Sequence, residues 1–153
     1  MTKSKTVHVG VYGVFLNEGN ILLVRKARGP YTGLLDLPGG RIEHGEQPTD
    51  TLLREIKEET GIVVSSWALF DNFAFTMSYG EEENEKCLHH LGLIYHVTEF
   101  EDSGLKMDIC EADVAGALWV RLGSEEGLTP FARRACVEFR NKVFSDLFDG
   151  DNV

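Results

Sequence analysis

Apolar residues alternate at Val7, Val9 and Val11 and run on into Val14-Phe15-Leu16, which predicts a strand. Asn17-Glu18-Gly19-Asn20 is a turn signal, and residues 21–24 read as the returning strand of a hairpin. Residues 29–33 form a loop pattern with Pro30 and Tyr31 as candidate substrate-edge residues, and residues 34–37 a short strand that delivers Pro38-Gly39-Gly40. A helix is predicted next. Pro48 suits its first turn, Thr49 and Asp50 can meet the free N–H groups there, and Gly61 suits the left-handed position after its last turn. Further strands are expected at residues 62–64 and 68–78, around a bend, then at 88–97 and 115–121. His89 and His90 fall inside one of these strands as packing or edge residues. Residues 130–148 carry a helical pattern through Phe131, Ala135, Val137, Phe139, Val143 and Leu147. Mixed strands with one central and one terminal helix suggest α+β or α/β, a sheet between helices, with residues 1–153 as one domain.

The central helix carries an unusual set of charges. Glu55, Glu58 and Glu59 stand at i, i+3 and i+4 and crowd one helical face, while Leu53 and Ile56 lie mostly on the other and would dock on the sheet. Like charges at that spacing destabilise a helix unless a cation sits among them. Carboxylates are hard oxygen donors suited to Mg²⁺ or Mn²⁺, and no paired Cys or His ligands point to zinc. Arg54, one turn before Glu58, offers a guanidinium fork that holds carboxylates in a chosen rotamer. The bland alternative is a solvated, salt-bridged helix face. Against it stand Gly40, Glu46 and Gly61 at fixed spacings around the acids, and glycines at 39 and 40 that let backbone approach a ligand.

The full, ungapped pattern from Gly40 to Ile62 resembles the Nudix box: a Gly, Glu46 six residues on, Arg54-Glu55, the apolar Ile56, Glu58-Glu59, Gly61 and Ile62. Leu37-Pro38-Gly39 is also what that family usually places ahead of the box. The resemblance to Nudix hydrolases implies an α/β/α sandwich around a mixed, partly barrel-like sheet. It implies Mg²⁺ or Mn²⁺ held by Glu58 and Glu59 with Glu55 and the Gly39 carbonyl, and Arg54 orienting Glu46 and Glu55. For the general base it leaves two possibilities open: Glu55, or an acid downstream such as Glu111 or Asp113. It also leaves a homodimer open.

Charge and composition narrow the partners. The net charge of −10 argues against nucleic-acid backbones, whose binding relies on Lys and Arg. A polyphosphate substrate is itself anionic, so divalent cations would have to mediate, helped by local positive charge at Arg25, Lys26, Arg28 and Arg41. No stretch approaches the ~18 apolar residues of a membrane span, and a cytoplasmic location is expected. Cys87, Cys110 and Cys136 are odd in number and widely spaced, so neither a disulfide framework nor a zinc site is indicated.

The substrate is less defined. The proline of many ADP-ribose hydrolases is missing from Phe75-Thr76-Met77-Ser78, Leu35 stands where relatives often have Trp, and Tyr79 lies near where dinucleoside-polyphosphate hydrolases often have a tyrosine. The resemblance implies hydrolysis of a pyrophosphate bond in a nucleoside di- or triphosphate derivative, with a (d)NTP or modified nucleotide as first expectation. Arg25, Arg41 and Tyr79 are the candidate substrate contacts. Dinucleoside-polyphosphate or ADP-sugar hydrolysis, or a non-catalytic nucleotide sensor, are the alternatives.

Overall fold

The computed structural model describes residues 3–105, 110–111 and 114–149. Its elements are β1 (Ser4–Asn17), β2 (Asn20–Lys26), β3 (Leu35–Asp36), β4 (Gly39–Arg41), α1 (Pro48–Thr60), β5 (Val63–Tyr79), β6 (Lys86–Glu101), β7 (Cys110–Glu111), β8 (Val114–Arg121) and α2 (Pro130–Asp149). The strands form one mixed sheet in the order β5-β6-β1-β2-β8-β7, with β3 beside β2 and β4 beside β1. The path ends at β5 and β7 without closing.

β1 is the hub. It pairs in parallel with β6 from Ser4↔Lys86 to Phe15↔Val97, antiparallel with β4 from Gly10↔Arg41 to Tyr12↔Gly39, and antiparallel with β2 at its far end. Its side chains alternate between two cores. Tyr12 and Val14 pack with Phe131, Ala132, Ala135 and Phe139 of α2, whereas Val11 and Phe15 pack with Leu52 and Ile56 of α1. A helix therefore covers each face, which accounts for the apolar run in the middle of β1.

One expectation changes, and one resolves. Residues 63–79 form one strand of 17 residues rather than two around a bend. Register shifts between Val64 and Ser66, Ser66 and Trp67, and Leu69 and Asp71 absorb the irregularity as bulges, keeping the ladder to β6 intact. Of the two adjacent histidines, His89 is exposed and His90 is buried under α2, as strand alternation requires.

α1 starts and stops where its sequence signals stand. Gln47 is the N-cap and exchanges hydrogen bonds with Asp50, Pro48 occupies the first turn, and Gly61 ends the helix at φ 79°. The Gly61 N–H returns to the Lys57 carbonyl. These ends fix the rotation of the helix, and hence which way its acids face.

Candidate active site

The Gly40–Ile62 segment folds as strand, loop and helix around Arg54. Arg54 Nε donates to Glu46 Oε2 at 2.9 Å and Nη2 to Glu46 Oε1 at 2.7 Å, a two-pronged bond. Nη1 donates to Glu55 Oε1 at 2.8 Å, and Nη2 reaches the Arg41 carbonyl at 3.1 Å. Glu58 lies at 3.6 Å from the same guanidinium but is largely exposed. Glu46 also accepts from the Glu43 N–H and the Thr51 hydroxyl. The Arg54 bond, before these others, holds the Glu46 carboxyl down at about 2. Arg54 thus ties strand β4, the loop after it and helix α1 into one piece.

Glu59 is held differently. It is only 7% exposed, and its Oε2 accepts one hydrogen bond, 3.0 Å, from the Gly39 N–H. Burial pushes its carboxyl up to about 8, opposed by the Gly39 bond and Lys26 and reinforced by Glu55 and Asp36. Burial also raises Glu55, with Arg54 opposing and Glu58 and Glu43 adding to the rise. The two glycines make room. A Cβ on Gly39, which sits at φ 149°, would strike the Val11 carbonyl, and a Cβ on Gly40 would strike the Glu55 carboxyl group.

The donor set fits a hard divalent cation. Three carboxylates share one end of the site, two of them are strained by burial and mutual repulsion, and no sulfur or imidazole competes. Among the described residues no three acidic, His or Cys side chains yet converge as a finished cage. Glu55 is turned onto Arg54 and Glu59 onto Gly39, which is how such acids satisfy themselves with protein partners alone.

Beside the acids lies a cavity of about 250 Å³ lined by His8, Tyr12, Lys26, Tyr31, Asp36 and His90, with Arg28 and Pro30 also on its wall. Burial raises the Asp36 carboxyl as it does Glu59, and Lys26 is close enough to oppose the rise at both, so cavity and acid cluster adjoin. Of the sequence candidates, Tyr31 and Pro30 line this cavity, and Arg41 lies near enough to His8 to lower its imidazole. Arg25 is exposed and donates to the Gly33 carbonyl at 2.9 Å, fastening the loop. Tyr79 ends β5 opposite Lys86, whose β1 neighbour is Ser4. That is six β1 positions from Gly10, about 20 Å from the acids' end of the ladder. The Glu111 side chain and Asp113 lie outside the described residues.

Asp36 and Tyr12 were not among the sequence candidates, and His90 was expected only as a packing or edge residue. The available signal was Asp36 itself, a lone acid in the apolar run Leu34-Leu35-Asp36-Leu37. Tyr12 and His90 gave none, since their meeting depends on the parallel β1–β6 pairing.

A family model described as the NUDIX domain matches residues 4–136. The chain belongs to the Nudix family. The ADP-ribose pyrophosphatase of Methanocaldococcus jannaschii is 42% identical over 55 residues, covering 36% of this chain and 32% of that protein. The 8-oxo-dGTP diphosphatase of Escherichia coli K12 is 37% identical over 65 residues, covering 41% and 50%. The chain thus spans half or less of the length of these relatives. The crystal structure of a MutT NUDIX hydrolase from Burkholderia pseudomallei shares the fold, with a TM-score of 0.69 at 24% identity over 87% of this chain and 98% of that one. No helix among the described residues is long and apolar enough to cross a membrane.

Proposed function

We propose that this chain is a divalent-metal-dependent hydrolase of a pyrophosphate bond in a nucleoside di- or triphosphate derivative, with a (d)NTP or modified nucleotide as the substrate. The observation that carries the reading is the Arg54 lock, which holds Glu46 and Glu55 while Glu58 and Glu59 project from the same helix end. Residues Glu55, Glu58 and Glu59, with the Gly39 carbonyl, would hold Mg²⁺ or Mn²⁺. A bound cation of this kind neutralises anhydride oxygens and lowers the pKa of water.

The protein's own contribution is positioning. Arg54 spends four of its five N–H donors on Glu46, Glu55 and the Arg41 carbonyl, which suits it to fixing carboxylate rotamers. Gly39 and Gly40 let the substrate's phosphates come close to backbone. Arg41, Lys26 and Arg28 supply the positive charge a polyphosphate needs in an acidic protein. Glu55, with its carboxyl raised by burial, is suited to take a proton from water; Glu111 or Asp113 is the alternative base.

The names of the two relatives support a nucleotide anhydride as substrate class, and one of them supports ADP-sugar hydrolysis as the second reading. A Mg²⁺-supplemented screen of nucleoside triphosphates, ADP-ribose, nucleotide sugars, dinucleoside polyphosphates and CoA tests it. Turnover of a nucleoside triphosphate that is lost in Glu58→Gln is the expected result. Tight nucleotide binding without turnover of any class would replace the hydrolase with a nucleotide sensor.

A further inference from the structure

The cavity beside the acids is built to read a ring, and its chemistry narrows which one. Its volume of about 250 Å³ lies just under the range of whole-ligand pockets, so it takes one ring system rather than a complete nucleotide. The side chains of His8, Tyr12, Tyr31 and His90 give it flat aromatic walls, which favour a planar π-system over a sugar.

The polar atoms are more specific. Asp36 is 4% exposed, and both of its hydrogen bonds, from the Leu37 N–H at 2.8 Å and the Thr129 hydroxyl at 2.7 Å, go to Oδ1. Oδ2 has no partner among the described residues. Two fully buried atoms nearby are unpartnered among the described residues: Tyr31 Oη, in a residue 8% exposed, and His90 Nδ1, in a residue 5% exposed. Such atoms are rare in a folded interior and call for a ligand or water.

The tautomer of His90 follows from counting hydrogens. Tyr12 Oη and His90 Nε2 lie 2.7 Å apart. If Nε2 carried the hydrogen, the Tyr12 hydroxyl hydrogen would be left without an acceptor and Nδ1 without a donor. If Tyr12 donates to Nε2, only Nδ1–H is left over, and the neutral imidazole expected of so buried a ring is preserved. The cavity therefore presents a carboxylate acceptor at Asp36 and an imidazole N–H donor at His90.

We propose that Asp36 is a specificity-determining residue that selects a guanine-type base, accepting from its N1–H and 2-amino groups while His90 Nδ1–H meets the neighbouring O6. This rests on the reading of the adjoining acids as a nucleotide site and names the substrate class within it. Guanine sets two N–H donors side by side next to an acceptor. Adenine has no ring N–H on that edge, uracil flanks its one N–H with two carbonyls that a carboxylate repels, and cytosine has a ring acceptor beside its amino group. Oxidation at C8 leaves the guanine edge intact, so an 8-oxoguanine nucleotide shares the chemistry. Lys26 and Arg28 stand on the same wall, and Lys26 is near enough to Glu59 to act on its carboxyl.

Asp36→Asn separates recognition from folding, because an asparagine oxygen can keep both bonds made by Oδ1 and only Oδ2 is exchanged, for an N–H₂ donor. The test is titration calorimetry with Mg²⁺ and the non-hydrolysable β,γ-imido triphosphates of guanosine, inosine and xanthosine, alongside turnover of GTP, ITP, XTP, dGTP and 8-oxo-dGTP. Wild type should bind the guanosine analogue about tenfold or more tightly than the inosine analogue, which lacks the 2-amino group. Asp36→Asn should reverse the order of guanosine and xanthosine, whose 2-carbonyl accepts from the new amide. Preference for dGTP over 8-oxo-dGTP, or the converse, identifies the source of the base, and both should depend on Asp36. Equal affinity for the three analogues in wild type overturns the proposal, as does an unchanged order in a folded Asp36→Asn. If the base order holds without turnover, the hydrolase reading falls and this one stands; indiscriminate turnover gives the reverse.

Discussion

Arg54 grips Glu46 with two bonds, Nε to Oε2 and Nη2 to Oε1, across eight residues of chain, and turns its third nitrogen to Glu55. The planar fork matters more than the charge. Arg54→Lys keeps the cation but has no fork to hold both acids, so kcat/KM should fall about 100-fold through misplaced carboxylates. Steady-state kinetics with a metal titration would check this, and near wild-type activity in the lysine variant would remove the orienting role.

Glu59 is a buried carboxylate with one backbone donor for a partner. Glu59→Gln, neutral in the folded and the unfolded chain alike, is spared the proton uptake that folding imposes on Glu59 near neutral pH, so it should raise the metal-free Tm by roughly 2–4 °C, about 1 kcal/mol, while abolishing the stabilisation that Mg²⁺ gives wild type. Thermal melts in EDTA and in Mg²⁺ provide the comparison.

The adjacent glycines should fail in different ways. Alanine at Gly39 meets backbone at a φ of 149° and should cost about 1–3 kcal/mol of stability. Alanine at Gly40 meets only the movable end of Glu55, so the fold should persist while activity drops. Chemical denaturation and kinetics on both variants distinguish the two.

His90 couples this interior to pH. Burial, with His8 and Lys26 nearby, pulls its imidazole down to about 3 from 6.5. Between those values the unfolded chain binds a proton that the folded one refuses, so this residue's effect is to lower stability as pH falls from 6.5 towards 3. The slope is at most about 1.4 kcal/mol per pH unit. His90→Gln should show a flatter acid limb than wild type in denaturation series from pH 7 to 4.

What the chain discloses of itself follows the range of its interactions. Pro48, Asp50 and Gly61 act within one helical turn, and α1 begins and ends at them. The Arg54–Glu46 bond, across eight residues, was expected from the resemblance to the Nudix box and not from local geometry. The Asp36–Thr129 bond joins residues 93 apart, and Tyr12 meets His90 across 78, so neither leaves a local trace. Tyr79 illustrates the converse. Its spacing from the helix is no guide, because a strand of 17 residues carries it to the rung of Lys86 and Ser4, away from the Gly10–Arg41 pair beside the acids.

The ladder between β1 and β4 has three rungs, Gly10–Arg41, Val11–Gly40 and Tyr12–Gly39. Because side chains alternate along a strand, a slip by one rung would exchange the two faces there. The Gly39 N–H would leave Glu59, while Tyr12, held against His90 by the β1–β6 pairing, would lose Gly39 as its neighbour. The acids of α1 and the aromatic-walled cavity are thus indexed to each other by a single short register. Loops around this centre can lengthen or shorten without consequence for the distance between the two, but one residue gained or lost within those rungs would disable both together.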